Sequence, residues 1–425
     1  MSQLKTLAVT IGLSDFSPGR ALYLSRLLKK LGYKSIILTN KNLYVKNTAT
    51  YDTTLTSITL NWINYHKMIG RMLFYLFFSF LCFIKMLKIL SSEKSERVLI
   101  ITRHPYPLST LAALTAKRIA SGQNRKIIVI ADVTDLWPES LTFMSENLFS
   151  KTLQLIGTCL NRVIYKRCDY ITVHNHYYKE YVWRVYLGGQ IKKSRIFVIP
   201  HFVDTKEFVP LTKKEAVNHL RNCLGDYLIH QILTKVVIGY SGLISSTIGS
   251  DILFKIFKLF ENDNRFIFLI TGEGPLKQKL INFVKQNNMR NVLFIGPFPH
   301  ELMRYAINLF DIAIITSYHK KIIPPSRYWF PKKLAEYATC GKPIVFVGIS
   351  DFVRTTLKKY SSGISLYPEE LKNFRQVLET ILSDYQFFHR NSRRMAEKEF
   401  SLETAREKLK TIIGLLSPEK PVLTV

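Results

Sequence analysis

Residues 330–347 read FPKKLAEYATCGKPIVFV and contain the signals of a helix, a turn and a strand in one short stretch. Pro331 suits the start of a helix, which the sequence predicts to end near Gly341–Lys342–Pro343, because glycine and proline are typical of helix ends. The apolar, largely β-branched run over 343–347 then predicts a buried strand. A helix followed at once by an apolar strand is typical of parallel α/β sheets.

The same alternation continues in both directions and predicts two series of βαβ units. The first series has candidate strands at Thr6–Ile11, Ser35–Thr39, Val98–Thr102, Lys126–Ala131, Tyr170–Val173 and Ile196–Ile199, with helices such as Gly19–Leu31 and Leu108–Ala120. The second has candidate strands at Val236–Ser241, Phe266–Thr271, Val292–Ile295, Ile312–Thr316 and Pro343–Val347. The predicted fold class is α/β, with two doubly wound, Rossmann-like domains that face each other across a cleft.

The boundary between these domains is predicted in a stretch without periodicity. Residues 199–210 contain Pro200 and Pro210 and resemble a linker. We therefore assign 1–200 to the first domain and 201–390 to the second. Residues 391–425 form a charged helical tail that we expect to cross back to the first domain.

Composition limits the possible classes of protein. The chain has 425 residues, of which 47% are hydrophobic and 21% charged, which excludes wholesale disorder. The cysteines are odd in number, scattered and without a CxxC pair, so a disulfide framework or zinc site is not expected and a reducing compartment is. The five are Cys82, Cys159, Cys168, Cys223 and Cys340. The net charge of +29 predicts an anionic partner, whether nucleic acid, lipid or phosphorylated substrate.

A hydrophobic segment in the first half predicts contact with a membrane. Met72 to Ile84 is a run of thirteen residues without charge, shorter than the roughly 20 residues that a spanning helix needs. Arg71, Lys85 and Lys88 flank the run, and five phenylalanines lie within it. This pattern favours a helix of about 68–90 lying at an anionic lipid interface. A buried core helix of the first domain is the alternative.

Residues that directly follow the strands of the second domain are candidates for binding, because ligands of parallel sheets lie beyond the carboxyl ends of the strands. Small residues and free amides there can approach phosphate, and a carboxylate can accept two hydroxyl hydrogen bonds from a ribose. A lysine before that carboxylate suits a phosphate. The candidates are Gly242, Gly272, Gly274, Gly296, Phe298, Lys332, Lys333 and Glu336.

Together these pieces resemble the retaining, nucleotide-sugar-dependent glycosyltransferases of the GT-B fold, family 4. GYSG (239–242), TGEGP (271–275), FIGPF (294–298) and PKKLAEYATCGKPIV (331–345) occur in the family's order. In the first half, DVTDLWPES (132–140) resembles the DLWPES element of the branch that builds bacterial surface polysaccharides such as lipopolysaccharide and capsule. VIPHFVDTKEF (198–208) resembles the family's IPNGVD stretch at the domain junction.

The resemblance implies hexosyl transfer with retention from a nucleoside diphosphate sugar to a lipid-linked or saccharide acceptor, without a metal or other cofactor. Glu336 would hold the ribose, Gly296 to Phe298 would flank the base, and Lys332 or Lys333 would approach the diphosphate. Asp135, Glu139 and His104 would be the catalytic residues of the first domain. The implied location is the cytoplasmic side of the cell membrane.

Three departures from the family pattern keep other functions open. Tyr328 stands where many relatives have the first glutamate of an E-x7-E pair, and Leu243 and Ile248 stand where basic residues are usual. Lys277, Arg327, Lys332 or Lys333 would have to supply the missing charge. A catalytically silent scaffold of the same fold, or a sugar-nucleotide epimerase, is therefore the alternative. Nucleic-acid binding is not expected, because no RNA- or DNA-binding signature accompanies the charge.

Overall fold

The computed structural model describes residues 6–12, 20–40, 54–58, 60, 68–104, 107–121, 125–140, 148–189, 192–246, 249–317 and 324–415. The chain divides into two compact units. Unit 1 comprises Met1–Ile199 with Lys408–Val425, and unit 2 comprises Pro200–Glu407. Each unit contains one parallel sheet with helices between successive strands.

The sheet of unit 1 has seven parallel strands in the order β3-β2-β1-β4-β5-β6-β7. The strands are β1 (Thr6–Ile11), β2 (Lys34–Asn40), β3 (Thr54–Ile58), β4 (Arg97–His104), β5 (Lys126–Val133), β6 (Tyr170–Val173) and β7 (Ile196–Val198). The helices are α1 (Arg20–Lys30), α2 (Met68–Ser92), α3 (Pro107–Ala120), α4 (Leu148–Arg167) and α5 (His176–Tyr181). The strand order reverses between β1 and β4, which is where doubly wound sheets bind their ligands.

The sheet of unit 2 has six parallel strands in the order β10-β9-β8-β11-β12-β13. The strands are β8 (Val236–Ser241), β9 (Phe266–Thr271), β10 (Val292–Ile295), β11 (Ile312–Ser317), β12 (Ile344–Gly348) and β13 (Gly363–Leu366). The helices are α6 (Lys213–Leu220), α7 (Asp226–Thr234), α8 (Ile252–Leu259), α9 (Lys277–Gln286), α10 (His300–Asn308), α11 (Pro324–Arg327), α12 (Lys332–Thr339), α13 (Asp351–Tyr360), α14 (Phe374–Ser383), α15 (Tyr385–Met395) and α16 (Leu402–Leu415), the last continuing past Lys408 into unit 1.

Both sheets are covered by helices, as their continuous apolar sequences require. In unit 2, β9 (FIFLIT) is buried at every position, and aromatic residues pack around it. The rings of Phe257 and Phe268 lie 5.1 Å apart, and those of Phe260 and Phe266 lie 5.3 Å apart. This rigid core fixes where the loops at the strand ends lie.

The predicted strands of both series are present, with bounds that differ by at most two residues. Two further strands escaped prediction. β3 (TLTSI) lies at the edge of its sheet, and β13 (GISL) begins with glycine and has four residues. Edge strands that are short and partly polar carry little of the apolar signal used to recognise a strand.

The stretch that we predicted to be a linker packs into unit 2. Phe202, Val203 and Phe208 are buried, and the amide of Val203 donates a hydrogen bond to the carbonyl of Phe400 (2.9 Å). The guanidinium of Arg393 on α15 also donates to the carbonyl of Phe208 (2.9 Å). Residues after Pro200 are therefore part of the second compact unit.

Candidate functional site

Two loops at the carboxyl edge of the second sheet form the base of the site in unit 2. The amide of Gly242, after β8, donates to the carbonyl of Thr271 (2.9 Å), and the amide of Ile244 donates to the carbonyl of Glu273 (2.8 Å). A Cβ on Gly272 would lie 1.8 Å from the carbonyl oxygen of Gly242. The two loops therefore run side by side only because Gly272 lacks a side chain.

Gly274 has the same role one step further along, since a Cβ there would lie 2.3 Å from the carbonyl oxygen of Ile244. The sequence had suggested that these glycines allow a ligand to approach the backbone. In the structure, the close approach that requires them is between the two loops themselves. The paired loops of Gly242–Ile244 and Gly272–Gly274 are here called the platform. They carry no positive side chain, so other residues must supply the positive charge that an anionic ligand needs.

The end of β10 borders this platform. Gly296 has a φ of 72°, a backbone conformation that favours glycine, and precedes a cis peptide bond to Pro297. Gly296 and Pro297 are exposed, and Phe298 is half-buried. The backbone at this strand end is therefore accessible, and its contact with a base stays a prediction.

The helix α12 is fixed to the end of β8 by a buried tyrosine. The hydroxyl of Tyr337 accepts hydrogen bonds from the amide of Ser241 (2.7 Å) and from its side-chain hydroxyl (3.0 Å). Tyr337 is fully buried, so this contact is shielded from water. The first turn of α12, with Lys332 and Lys333, is thereby held beside the glycine loops.

Lys333 lies against the first glycine loop. Its Nζ lies 3.9 Å from the centroid of the Tyr240 ring and 3.3 Å from the position that a Cβ on Gly242 would occupy. A cation held over an aromatic face keeps its charge and is restricted in direction. Lys333 thus places a positive charge at the loop that begins the second sheet, where Leu243 is exposed instead of a basic residue.

Lys332 and Glu336 form a pair on the neighbouring side of α12. Their Nζ and Oε1 atoms lie 3.2 Å apart, and the Glu336 side chain is 16% exposed. His300, at the start of α10, is close enough to interact electrostatically with both charges. Burial lowers the pKa of His300 below its ordinary value, the Lys332 ammonium lowers it further, and Glu336 acts in the opposite direction. His300 lies two positions after the FIGPF segment and was not among the predicted site residues.

Two other cations proposed to replace the missing basic residues are paired with acidic side chains. The Lys277 ammonium pairs with Glu273, and the Arg327 guanidinium pairs with Asp351 at 2.6 Å. Tyr328 is half-buried beside Arg327. Lys333 lies against the loop of Gly242, whereas Lys277 is bound to the acid of the 271–275 loop.

A buried ion pair lies beneath the DLWPES-like element of unit 1. The guanidinium of Arg20 donates to both carboxylate oxygens of Asp132, at 2.7 and 3.0 Å, and also to the carbonyl of Ile199 at 2.8 Å. Thr172 donates to the same carboxylate at 2.7 Å. Arg20 was not among the candidate site residues, because a partner 112 positions away leaves no local pattern.

Among the three acidic residues of the DLWPES-like element, Asp135 is the one whose side chain faces solvent. Its side chain is exposed and, among the residues that the structure describes, accepts no hydrogen bond. Although the side chain reaches solvent, the protein packed around its carboxyl raises the pKa above its ordinary value, and the Arg103 guanidinium acts in the opposite direction. A carboxylate with a raised pKa is a suitable proton acceptor. His104 ends β4, and its side chain lies outside the described part of the structure.

Glu139, in contrast to Asp135, is buried. The hydroxyl of Tyr181 donates to its carboxylate at 2.9 Å, and the hydroxyl of Tyr186 donates to its other oxygen. Both tyrosines come from the helical segment after β6, so the pairing could not be seen in the DLWPES-like motif alone. In this arrangement Glu139 fixes the position of the element that carries Asp135.

A separate cavity of about 670 Å³ opens at the amino end of the second sheet. Val236 and Asp311 line it, and these residues begin β8 and precede β11. The glycine loops follow the opposite ends of the strands. We therefore do not assign this cavity to the site described here.

Part of unit 2 matches a known family of domains. Residues 229–399, fewer than half of the chain, match the family model described as "Glycosyl transferases group 1". The match includes both glycine loops and all of α12. None of the curated proteins compared with the chain matches it significantly.

Solved structures confirm the fold over nearly the whole chain. The sucrose-phosphate synthase of Thermosynechococcus elongatus is 16% identical, with 97% of this chain and 99% of that chain covered and a TM-score of 0.71. A glycosyltransferase from Rickettsia africae is 15% identical, with 98% and 100% covered and a TM-score of 0.67. Anabaena HepE in complex with UDP and glucose is 14% identical, with 96% and 99% covered and a TM-score of 0.66. The predicted fold class, two doubly wound units of the GT-B type, is confirmed.

Proposed function

We propose that the protein is a retaining glycosyltransferase of family 4 that moves a hexosyl group from a nucleoside diphosphate sugar to an acceptor. The observation that carries this proposal is the position of the Lys333 ammonium at the glycine loops, one turn before Glu336, within the group 1 domain. A cation and a carboxylate at this spacing suit a diphosphate and a ribose that lie next to each other in the donor.

The leaving group of this reaction is a nucleoside diphosphate, whose developing negative charge must be stabilised. Lys333 supplies a positive charge, and the amino end of α12 supplies backbone amides and the positive end of the helix dipole. We propose that these groups act without a metal ion. Glu336 would accept the ribose hydroxyls after exchanging its contact with Lys332, and Phe298 would lie against the base.

The acceptor would bind to unit 1, where Asp135 is the exposed acid. Its raised pKa makes it suited to receive the proton of an acceptor hydroxyl as the new glycosidic bond forms. Glu139 would position the element through its two tyrosine partners.

The hydrophobic helix α2 supports an acceptor that is linked to lipid. Met72, Leu76 and Phe80 on this helix are 47%, 52% and 57% exposed, which is unusual for apolar side chains of a folded unit. We propose that α2 holds unit 1 at the cytoplasmic face of the cell membrane, where surface polysaccharide such as lipopolysaccharide or capsule is assembled.

The test is turnover of a panel of nucleoside diphosphate sugars by the full-length protein in detergent, with Glu336→Ala as the site variant. Lys359→Met is the matched control, because Lys359 is a surface lysine of the same unit that pairs with Glu399. We expect transfer to added acceptor or slow donor hydrolysis, lost in Glu336→Ala and retained in Lys359→Met.

A catalytically silent scaffold is the second candidate, favoured by Leu243 and Tyr328 in place of charged family residues and by the pairing of Lys277 and Arg327 with other side chains. A folded protein that binds none of the donors would establish this alternative. Release of an epimerised sugar nucleotide would instead identify an epimerase.

A further inference from the structure

Exposed apolar side chains are concentrated on three helices of unit 1. Of the 18 large apolar side chains that are exposed in the described residues, 12 lie on α2, α3 and α4. They are Met72, Leu73, Leu76, Phe77, Phe80, Ile84, Leu111, Ile119, Leu148, Leu155, Ile156 and Val163. Patches of this kind mark surfaces that are covered in the working protein.

The helix α2 has two apolar faces with different environments. Phe74, Phe78, Cys82, Met86 and Leu90, each four residues from the next, are at most 4% exposed. The exposed residues from Met72 to Ile84 lie on the opposite face. The segment Met72–Ser92 is long and apolar enough to cross a membrane, but 33% of its most apolar window is buried in the protein. A helix with one side built into a folded unit is suited to lie along a bilayer rather than across it.

The helix α4 has the same construction, which its sequence did not suggest. Leu148, Leu155, Ile156 and Val163 are 81%, 67%, 58% and 47% exposed, and Cys159 is exposed among them. At 3.6 residues per turn these five positions fall within an arc of about 100°. Gly157, Asn161 and Ile164 are buried on the opposite side. Apart from the exposed Thr152, the outer face of α4 is therefore an apolar stripe.

The three helices form one layer. Helix α3 packs against both α2 and α4, and all three follow β3 to β5 in right-handed crossovers, which places them on the same face of the sheet. Their inner faces cover the sheet, so their outer faces point the same way.

The charge of this layer identifies its partner. The 59 residues of α2, α3 and α4 contain nine Lys or Arg and no Asp or Glu. One of these cations, Lys117, pairs with Asp169, and Lys166 and Arg167 end the α4 stripe. Apolar side chains bordered by cations suit a bilayer of anionic phospholipid. In a symmetric contact with a second copy of the chain, the same cations would repel one another.

We propose that the outer faces of α2, α3 and α4, here called the basic apolar face, lie together on an anionic bilayer, and that α4 inserts into the interface beside α2. The inference rests on the proposed function in taking a membrane as the partner. It adds the residues of α4 to the contact and places both helices parallel to the membrane plane.

The first test compares the variant Leu155→Glu/Ile156→Glu with Tyr227→Glu, which changes a 65% exposed apolar residue of unit 2. Each full-length protein is sedimented with vesicles of phosphatidylcholine containing one-third phosphatidylglycerol. We expect the double variant to partition to the vesicles at least about tenfold more weakly than the parent, and Tyr227→Glu to be unchanged. Unchanged binding of the double variant would show that α4 does not contact lipid and would overturn the proposal.

The second measurement uses Cys159 itself. An environment-sensitive fluorophore is attached to Cys159 in Cys223→Ser, and to Cys223 in Cys159→Ser, because these are the two exposed cysteines and the other three are buried. Anionic vesicles should shift the emission of the Cys159 label to shorter wavelength and leave the Cys223 label unchanged. A shift that depends on protein concentration without vesicles would identify a second copy as the partner and overturn the proposal.

Donor turnover in detergent separates this proposal from the proposed function. The double variant should retain the parent's donor turnover, since neither residue belongs to the site. Loss of vesicle binding with turnover intact supports the basic apolar face. An inactive parent that still binds vesicles through α4 would contradict the proposed enzyme activity alone.

Discussion

The carboxyl edges of the two sheets are built from different chemical groups. In unit 1 the edge carries acids, with Asp132 buried against Arg20, Glu139 enclosed by tyrosines and Asp135 exposed. In unit 2 the edge consists of glycine loops with the Lys333 ammonium beside them. Fixed acids suit the positioning of hydroxyl groups and protons, whereas open loops with a cation suit a large anion. The two sheets are wound in the same way, and they differ in chemistry because different residues lie at the ends of their strands.

The largest expected effect is on stability, because the acidic edge of unit 1 depends on its buried ion pair. Arg20→Met leaves the Asp132 carboxylate buried without a cation, which should lower the free energy of unfolding of unit 1 by about 3–5 kcal/mol. Urea unfolding that resolves two transitions should show the first unit destabilised and the second unchanged. Lys34→Met, which removes an exposed pair with Glu93, is the control and should cost less than about 1 kcal/mol. Equal losses in the two variants would contradict the role given to Arg20.

The glycine edge should be sensitive to a single methyl group. Gly272→Ala places a Cβ against the carbonyl of Gly242, and separating the loops should cost about 1–3 kcal/mol in unit 2 and abolish donor binding. Gly225→Ala is the control, because no atom lies within 4 Å of its Cβ position. There the lost helix-cap preference and the reduced entropy of the unfolded chain oppose each other, so we expect a change within about 0.5 kcal/mol. Thermal unfolding and calorimetric titration with nucleotide measure both effects.

Replacement of Lys333 removes the positive charge of the glycine edge and leaves the loops themselves unchanged. Lys333→Met should weaken nucleoside diphosphate binding by about 10- to 100-fold, the worth of one charge-assisted hydrogen bond. Lys332→Met should have a smaller effect, because the Lys332 ammonium contacts Glu336. Isothermal titration calorimetry with the nucleotide found by the donor panel gives both constants. The reverse order of effects would assign the diphosphate to Lys332.

The smallest expected effect is the pH dependence of the free energy of unfolding of unit 1. Burial, helped by Arg20 and Arg103, lowers the pKa of His174 to about 3. Between pH 6.5 and 3 the unfolded chain therefore binds a proton that the folded unit does not, and stability falls as the pH is lowered through this range. The loss from pH 6 to pH 5 should be about 1 kcal/mol. His174→Gln should lack this part of the slope, as measured by urea unfolding at the two pH values; an identical slope would contradict the assignment.

The sequence was sufficient for the parts of the fold that depend on local pattern. Apolar runs such as 266–271 and 236–241 predicted their strands to the residue, because buried parallel strands contain few polar residues. Strand β13 was missed because GISL gives no such signal. The site was predicted as a set of positions after strands, and the structure brings Gly242, Gly272 and Lys333 together.

What the sequence could not show are contacts between distant positions. The tyrosines that donate to Glu139 lie 42 and 47 residues further along the chain, so the motif alone did not show that this acid is buried and hydrogen-bonded. The choice between Lys332 and Lys333 depends on the direction of each side chain from α12, which adjacent lysines in a sequence do not reveal. The apolar stripe of α4 was overlooked because leucines and isoleucines at helical spacing also occur on buried faces.

The pairing of Val203 with Ser401 has a consequence for how the protein is made on the ribosome. In the segment that opens unit 2, Val203 donates a hydrogen bond to the carbonyl of Phe400 and accepts one from the amide of Leu402, residues that are synthesised about 200 positions later. At roughly 5–20 residues per second, that interval lasts on the order of 10–40 s. Until then the amide and carbonyl of Val203 lack the partners that they have in the folded unit. This edge of unit 2 is therefore completed only when its last helices have been made.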